Sequence, residues 1–288
     1  MTLEGRLVLA LLEGAVTGCI LALTALGLSM VFGVMRIVNV AHGEFFMLGA
    51  VSAWYITSTT SSFGLALVAA PIFVAGVAAL VNWVILRPIR YEPQATIVAT
   101  IGLLYILQQL VLSIYGPYAR TVSPPFYIRI DFPWFGYSGY KLAVAGLAAA
   151  LLWATWRVVS ATTLGLYMRA TQQDQEIAQA FGVPVHRIFG VAFSLGAALA
   201  GLAGALIIPT QPAHYLMGLD ALLASFTVVI VGGLGSLGGT VAAAFLIGLS
   251  DGIVSVFFSP TLARIVSTAL VALVLVVKSG GLFGAESA

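Results

Sequence analysis

Apolar residues run for membrane-crossing lengths at a time along most of this chain, without the period-two alternation of barrel strands, and this constrains the fold before any motif does. A hydrocarbon core about 30 Å thick takes roughly 20 apolar residues per helix. Runs of that kind lie at 8–34, 45–60, 64–86, 95–116, 141–159, 188–209, 220–256 and 260–277. The run 220–256 contains a glycine-rich break, so eight or nine transmembrane helices are expected. The expected fold is an all-α polytopic membrane protein with broken or re-entrant segments, one transmembrane domain over residues 1–288. The first run is longer than the roughly 7 to 15 residues of a signal-peptide core and is expected to be a retained helix. Composition agrees: 61% hydrophobic, 8% charged and a mean hydropathy of +1.09, against roughly 25% charged residues in soluble domains. A formal net charge of +2 excludes nucleic-acid binding by counterion release. The single cysteine, Cys19, lies in an apolar run, forms no intrachain disulfide and is expected to pack as a small hydrophobe.

Orientation rests on the connections. With odd spans ending inside, Arg36, Arg87, Arg90, Arg157, Arg169, Arg187 and Lys278 are cytoplasmic, a narrow majority over Arg6, Arg120, Arg129, Lys141 and Arg264. The loop 116–140 is rich in Pro, Tyr, Phe and Trp, as an interface-hugging external loop is. The N-terminus is therefore expected outside and the C-terminus in the cytoplasm.

The polar segment from Thr162 to Arg187 stands apart from the apolar runs. Thr171 followed by Asp174 has the form of a capping box, and Asp174 and Glu176 favour the positive end of a helix dipole. A helix is expected from Gln172 to Phe181, because Gly182 suits a left-handed cap and Pro184 cannot continue the ladder. Ile177 and Phe181 share a face with Asp174 on that helix, among Gln172, Gln175, Glu176 and Gln179. So short a helix is marginal alone and must pack on something, either the protein's own membrane face or a partner.

Gly233, Gly235 and Gly238 match a dinucleotide-binding pattern, but membrane-length flanks and the lack of an acidic residue about 20 positions on make it a false positive. A phosphate loop is excluded too: the only lysines are Lys141 and Lys278, and neither follows a glycine with Ser or Thr after it. The octapeptide Gly232–Gly239 is a loop between helices, or a re-entrant turn lining a cavity. Asn39 to Gly43 is a second polar interruption in a roughly corresponding place, and paired interruptions point to a transport pathway. Pathway candidates are Asn39, His42, Glu44, Gly232, Gly233, Gly235 and Ser236. Of the carboxylates, Glu13 and Asp251 are expected to be embedded without a paired charge, and Glu44 and Asp220 to be wet. His42, His186 and His214 are expected to make structural hydrogen bonds, because no metal-ligand spacing is present. Gln108 and Gln109 could bond across helices or toward a solute. Small residues four apart, Gly14 with Gly18, Ala197 with Gly201 and Ala200 with Gly204, permit close helix approach.

Several stretches carry a family resemblance. Thr163-Leu164-Gly165, Arg169-Ala170, Asp174, Ala178 and Gly182 resemble the cytoplasmic coupling segment of bacterial ABC importer permeases of the branched-chain amino acid family. Asn39-Val40-Ala41-His42-Gly43 is similar to that family's block after its first helix. Ala200-Gly201-Leu202-Ala203-Gly204 and Gly232–Gly239 resemble its later glycine motifs. A departure falls at Lys278-Ser279, where an Arg-Pro is expected, which puts a rigid C-terminal turn in doubt.

The resemblance implies an inner-membrane permease that imports branched-chain amino acids or related small solutes such as amides and urea. Its expected partners are a homologous second permease subunit, two cytoplasmic ATP-binding subunits carrying ATP and Mg, and an external solute-binding protein. No cofactor is expected in this chain, and it is not an enzyme. The segment about 160–187 would then dock through Arg169, Ala170, Asp174, Glu176, Ile177, Phe181 and Gly182. Ile177 and Phe181 would be the anchors, and Arg169, Asp174 and Glu176 would set orientation. The alternatives are an ion-coupled secondary transporter or channel using Glu13 or Asp251, and an intramembrane enzyme, for which no convergent acid, base and nucleophile are visible.

Overall fold

The computed structural model describes residues 1–278, 281 and 282; Ser279, Gly280 and 283–288, on which most of the doubtful C-terminal turn falls, lie outside the described residues. The elements in chain order are α1 (Leu3–Met35), α2 (His42–Thr60), α3 (Phe63–Val81) continuing into a π-helical turn (Asn82–Leu86), and α4 (Pro93–Tyr115). A small antiparallel hairpin follows, β1 (Arg129–Asp131) and β2 (Gly136–Ser138), with Ile130 opposite Tyr137. Then come α5 (Gly139–Ala161), α6 (Thr163–Gln173), α7 (Gln175–Ala180), α8 (Val185–Ile207), α9 (Met217–Gly232), α10 (Leu237–Phe257) and α11 (Pro260–Val277). Each expected apolar run falls on one of these helices, except 220–256, which is divided between α9 and α10. Among the described residues, α1, α3 with its π turn, α4, α5, α8 and α10 are each long and apolar enough to cross a membrane.

Local chemistry marks the helix ends. Thr2, Ser62, Ser236 and Ser259 each accept the backbone N–H three residues on, and Pro93 and Pro260 occupy first turns where a missing N–H costs nothing. The apolar helices then sort by burial. In α1 the most apolar window is 89% buried, whereas in α5 it is 17% buried. α1 is therefore the axis of the bundle, packed mainly on α10 and α8, while α3, α4 and α5 turn Trp83, Tyr105, Trp153 and Trp156 outward, where lipid is the solvent for such side chains.

The expected small-residue contacts are present. A β carbon at Gly14 would fall 2.7 Å from the Cα of Leu249 on α10, so α1 and α10 touch backbone to backbone. Gly201 and Gly204 on α8 meet Gly49 and Phe46 on α2 in the same way.

Two helices start inside the bundle. His42, in the first turn of α2, lies with Nε2 2.9 Å from the Thr24 carbonyl, about 16 Å up the axis from the C-terminal end of α1 at 1.5 Å per residue. Gly43 packs directly on the Gly218 carbonyl in the first turn of α9. The interruption 39–43 is thus partly helical and, apart from the half-buried Val40, interior. The glycine-rich break proves to be a four-residue turn, Gly233 to Ser236, between two helix ends.

The polar segment also differs from expectation. Instead of one helix from Gln172 to Phe181, α6 runs through Thr171 and Gln172 and a separate six-residue α7 follows. Thr171 is no cap: its hydroxyl donates to the Tyr167 carbonyl within α6. Thr162 starts α6 instead, accepting from Gly165 N–H. Asp174, extended at φ −154°, ends α6 and caps α7 by accepting the Ile177 N–H at 2.9 Å. An Asp competes for nearby backbone donors, and that competition breaks the helix where the apolar pattern alone would continue it. Termination at Phe181 and Gly182 is as expected, with Gly182 left-handed at φ 82°.

Candidate functional site

A cavity of about 580 Å³ lies between α1, α2, α5, α8, α9, α10 and α11. Its wall uses the N-terminal halves of α1 and α5 (Glu13, Lys141), the segment after α8 (Gln211, His214), the start of α9 (Asp220) and the end of α10 with the start of α11 (Asp251, Arg264). All of these lie at the end of the bundle remote from α6 and α7, which follow α5 and precede α8. Apolar wall is supplied by Ile20, Phe46, Leu206 and Ile247. Charge and apolar surface together suit a small dipolar solute, and the volume falls within the range of ligand pockets.

One ion pair lies in this wall. Lys141 Nζ lies 2.6 and 2.9 Å from the two Glu13 oxygens, joining α1 to α5 with both side chains about 30% exposed. Lys141 also stands 5.8 Å from the Tyr137 ring centroid. Burial, then the negative charge of Glu13, raises the Tyr137 phenol above its ordinary value, so it stays neutral beneath the pair. The expectation that Glu13 has no paired charge is therefore corrected. Asp251 and Arg264 share the same wall.

Behind the cavity lies a dry polar layer. Asn39, His42 and Glu44 are each 0% exposed. Asn39 Oδ1 accepts the Ala41 N–H at 3.1 Å, forming the turn that opens α2, and Thr100 on α4 accepts the Val40 N–H. Glu44 accepts from Gln108 Nε2 at 3.0 Å and packs on Gly218. Glu44 is thus the deeply embedded carboxylate rather than a wet one, and Asp220 is the exposed one on the cavity wall. His42 makes the expected structural hydrogen bond, and no group of three metal-ligating side chains is present among the described residues. Thr24 and Phe46 line the cavity, and His42 and Glu44 sit immediately behind them.

At the opposite end, α6 is fastened to its own bundle. Arg169 donates to the Val159 carbonyl at the end of α5, and Ala170 is half-buried. Arg36 donates to the carbonyls of Gln172 and Gln173 at 3.0 and 3.2 Å. Gln172 Nε2 donates to the Gly235 carbonyl at 3.2 Å. In α7 only Ala178 is buried; Glu176 and Gly182 are exposed, Ile177 is 57% exposed and Phe181 85% exposed.

Residues 10–275 match the family model described as branched-chain amino acid transport system, permease component. The chain belongs to this permease family. It is 27% identical over 94% of its length, and 94% of theirs, to the high-affinity branched-chain amino acid transport system permease protein LivH of Escherichia coli (strain K12). It is 26% identical to the permease protein BraD of Pseudomonas aeruginosa, over 95% of this chain and 94% of that one. A probable branched-chain amino acid transport permease protein of Methanocaldococcus jannaschii is 26% identical over 86% of this chain and 82% of its own. No solved structure gives a significant match.

This permease is a multi-pass inner-membrane protein and not an enzyme. None of the seven pathway candidates, Asn39, His42, Glu44, Gly232, Gly233, Gly235 and Ser236, lines the cavity. Asn39, His42 and Glu44 form its backing, and the four glycine-turn residues lie at the α6 end. The cavity's own charged wall was visible in sequence only as isolated Glu13, Lys141, Asp220, Asp251 and Arg264. Lys141 and Arg264 flank apolar runs as ordinary end charges do, so nothing in their spacing signalled that they face carboxylates on other helices.

Proposed function

We propose that this chain is the membrane subunit of an ATP-driven importer for branched-chain amino acids or chemically related small dipolar solutes such as amides and urea. The observation that carries the reading is polarity along the bundle: a charged cavity at one end and, at the other, a short polar segment presenting two unpartnered apolar side chains, Ile177 and Phe181. An external binding protein delivers the solute to the cavity, and two cytoplasmic ATP-binding subunits, which carry the ATP and Mg, receive α7. A second, homologous permease subunit completes the pathway.

In this reading Ile177 and Phe181 fill a groove of the ATP-binding partner, and Glu176 beside them orients the contact. Asp174 shapes α7 by capping it, Arg169 and Ala170 hold α6 against its own bundle, and Gly182 supplies the left-handed turn back into α8. On the solute side, the ammonium and carboxylate of a dipolar molecule meet Asp220, Asp251 and Arg264, and Ile20, Phe46 and Leu206 take its aliphatic part. Inward release opens the layer of Asn39, His42 and Glu44 against Gly218 and leads past Gly232, Gly233, Gly235 and Ser236.

Replacement of Phe181 by Ala tests the docking role. A side chain 85% exposed contributes little to packing within this chain, so the melting temperature of the isolated permease stays unchanged. In vesicles containing the complete transporter, uptake is expected to fall about tenfold or more, the loss of a buried aromatic anchor at an interface. Undiminished uptake removes Phe181 from the coupling contact.

A further inference from the structure

Three chain segments distant in sequence meet at one point at the α6 end, where polar side-chain bonds add to the apolar packing of Met30, Val34, Met168 and Leu237. Arg36, in left-handed conformation at φ 55°, caps α1, and from there its guanidinium reaches the last carbonyls of α6 at Gln172 and Gln173. Such carbonyls have no partner within their own helix, and a cation at a helix C-terminus meets the negative end of the dipole. A non-glycine residue in the left-handed region is uncommon and is held there only by its surroundings. Gln172 then extends its amide to the Gly235 carbonyl, in the turn between α9 and α10. Gly33 of α1 closes the junction: a β carbon there would fall 3.2 Å from Gly235 Cα and 3.4 Å from Gln172 Nε2.

We propose that Arg36 and Gln172 are positioning residues of a rigid joint through which movement of the 163–182 segment is passed to α1, α9 and α10, and so to the cavity at their far ends. The turn can transmit motion because it has little slack. Gly233 ends α9, Ser236 caps α10 by accepting the Gly239 N–H at 3.2 Å, and the intervening Gly235 is left-handed at φ 79°. A pull on Gly235 therefore moves two helix ends together. The same helices carry Asp220 and Asp251 into the cavity wall, and α1 carries Glu13. Arg169, by contrast, ties the middle of α6 to the Val159 carbonyl of α5, which makes that attachment a pivot and leaves the Gln172 end as the moving one.

This inference rests on the ATP-driven reading above, and the test separates the two. The complete transporter, with its ATP-binding subunits and solute-binding protein, is placed in vesicles, and solute taken up per ATP hydrolysed is measured. That ratio does not depend on the fraction of protein correctly folded. Gln172→Glu keeps the side-chain shape but replaces the donor with an acceptor facing the Gly235 carbonyl; the ratio is expected to drop about tenfold with ATP hydrolysis kept within about twofold. Arg36→Ala is expected to behave alike, while Arg36→Lys, which keeps a cationic donor, recovers at least half of the ratio. A packing defect alone would leave Arg36→Ala and Arg36→Lys equivalent. Unchanged ratios in Gln172→Glu overturn the joint while leaving the importer reading intact. Absence of ATP-dependent uptake in the unaltered transporter overturns both.

Discussion

Gln108 and Glu44 show how a single residue pair can matter out of proportion to its size. Gln108 is 8% exposed on α4 and donates to a carboxyl group with no exposure on α2. Gln108→Leu leaves that buried group without its donor, a loss of roughly 1–3 kcal/mol, seen as a lower unfolding free energy of the purified permease. Adding Glu44→Met removes the stranded group, so the double variant is expected to recover most of the loss; two independent, additive losses would show that the pair is not coupled. Sequence alone placed Gln108 among residues that could bond across helices, and that option is the one realised. Glu44 was expected to be wet because it lies near the end of an apolar run. Its depth follows from α2 starting level with Thr24 of α1, which depends on the turn set by Asn39 and on the Gly43–Gly218 contact, and neither has a signature in local hydropathy.

At the scale of elements, the boundaries were readable wherever a cap or a break was encoded by one residue. Gly182, read as a left-handed cap with Pro184 behind it, stands at the real end of the polar segment. The polar segment was readable as helical and as ending near Phe181, but its division was hidden, since Asp174 serves equally as an interior acidic residue or as a cap. The structure makes it a cap, and a six-residue helix has few other supports. Asp174→Ala is expected to weaken α7 by about 1 kcal/mol. Hydrogen exchange at the Ile177 and Ala178 amides should then quicken about fivefold, with α8 amides unaltered. An unaltered rate at Ile177 would show that α7 is held by its neighbours and not by its cap. The glycine turn is a related case: its residues were visible, but the Gln172–Gly235 bond that gives them a neighbour joins positions far apart in the chain.

For the whole molecule, the helical class followed from the apolar runs because lipid leaves a chain no other way to satisfy its backbone without closing a barrel. The central place of α1 did not follow from hydropathy, since α1 and the outward-facing α4 have the same mean hydropathy of 2.1 in their best windows. What separates them is small-residue packing, with Gly14, Gly18 and Gly27 of α1 against α10 and α8. The cavity was the least legible feature, because it exists only where seven helices converge and its polar groups are scattered over α1, α5, α9, α10 and α11. The importer reading joins that cavity to the α6–α7 end through helices that touch both. It is tested most directly by solute uptake into vesicles containing the permease with and without ATP-binding partners, under imposed and collapsed ion gradients. The account predicts uptake only with the partners and ATP, indifferent to the gradients. Uptake by the permease chain alone, driven by an ion gradient and unaffected by ATP, would contradict it.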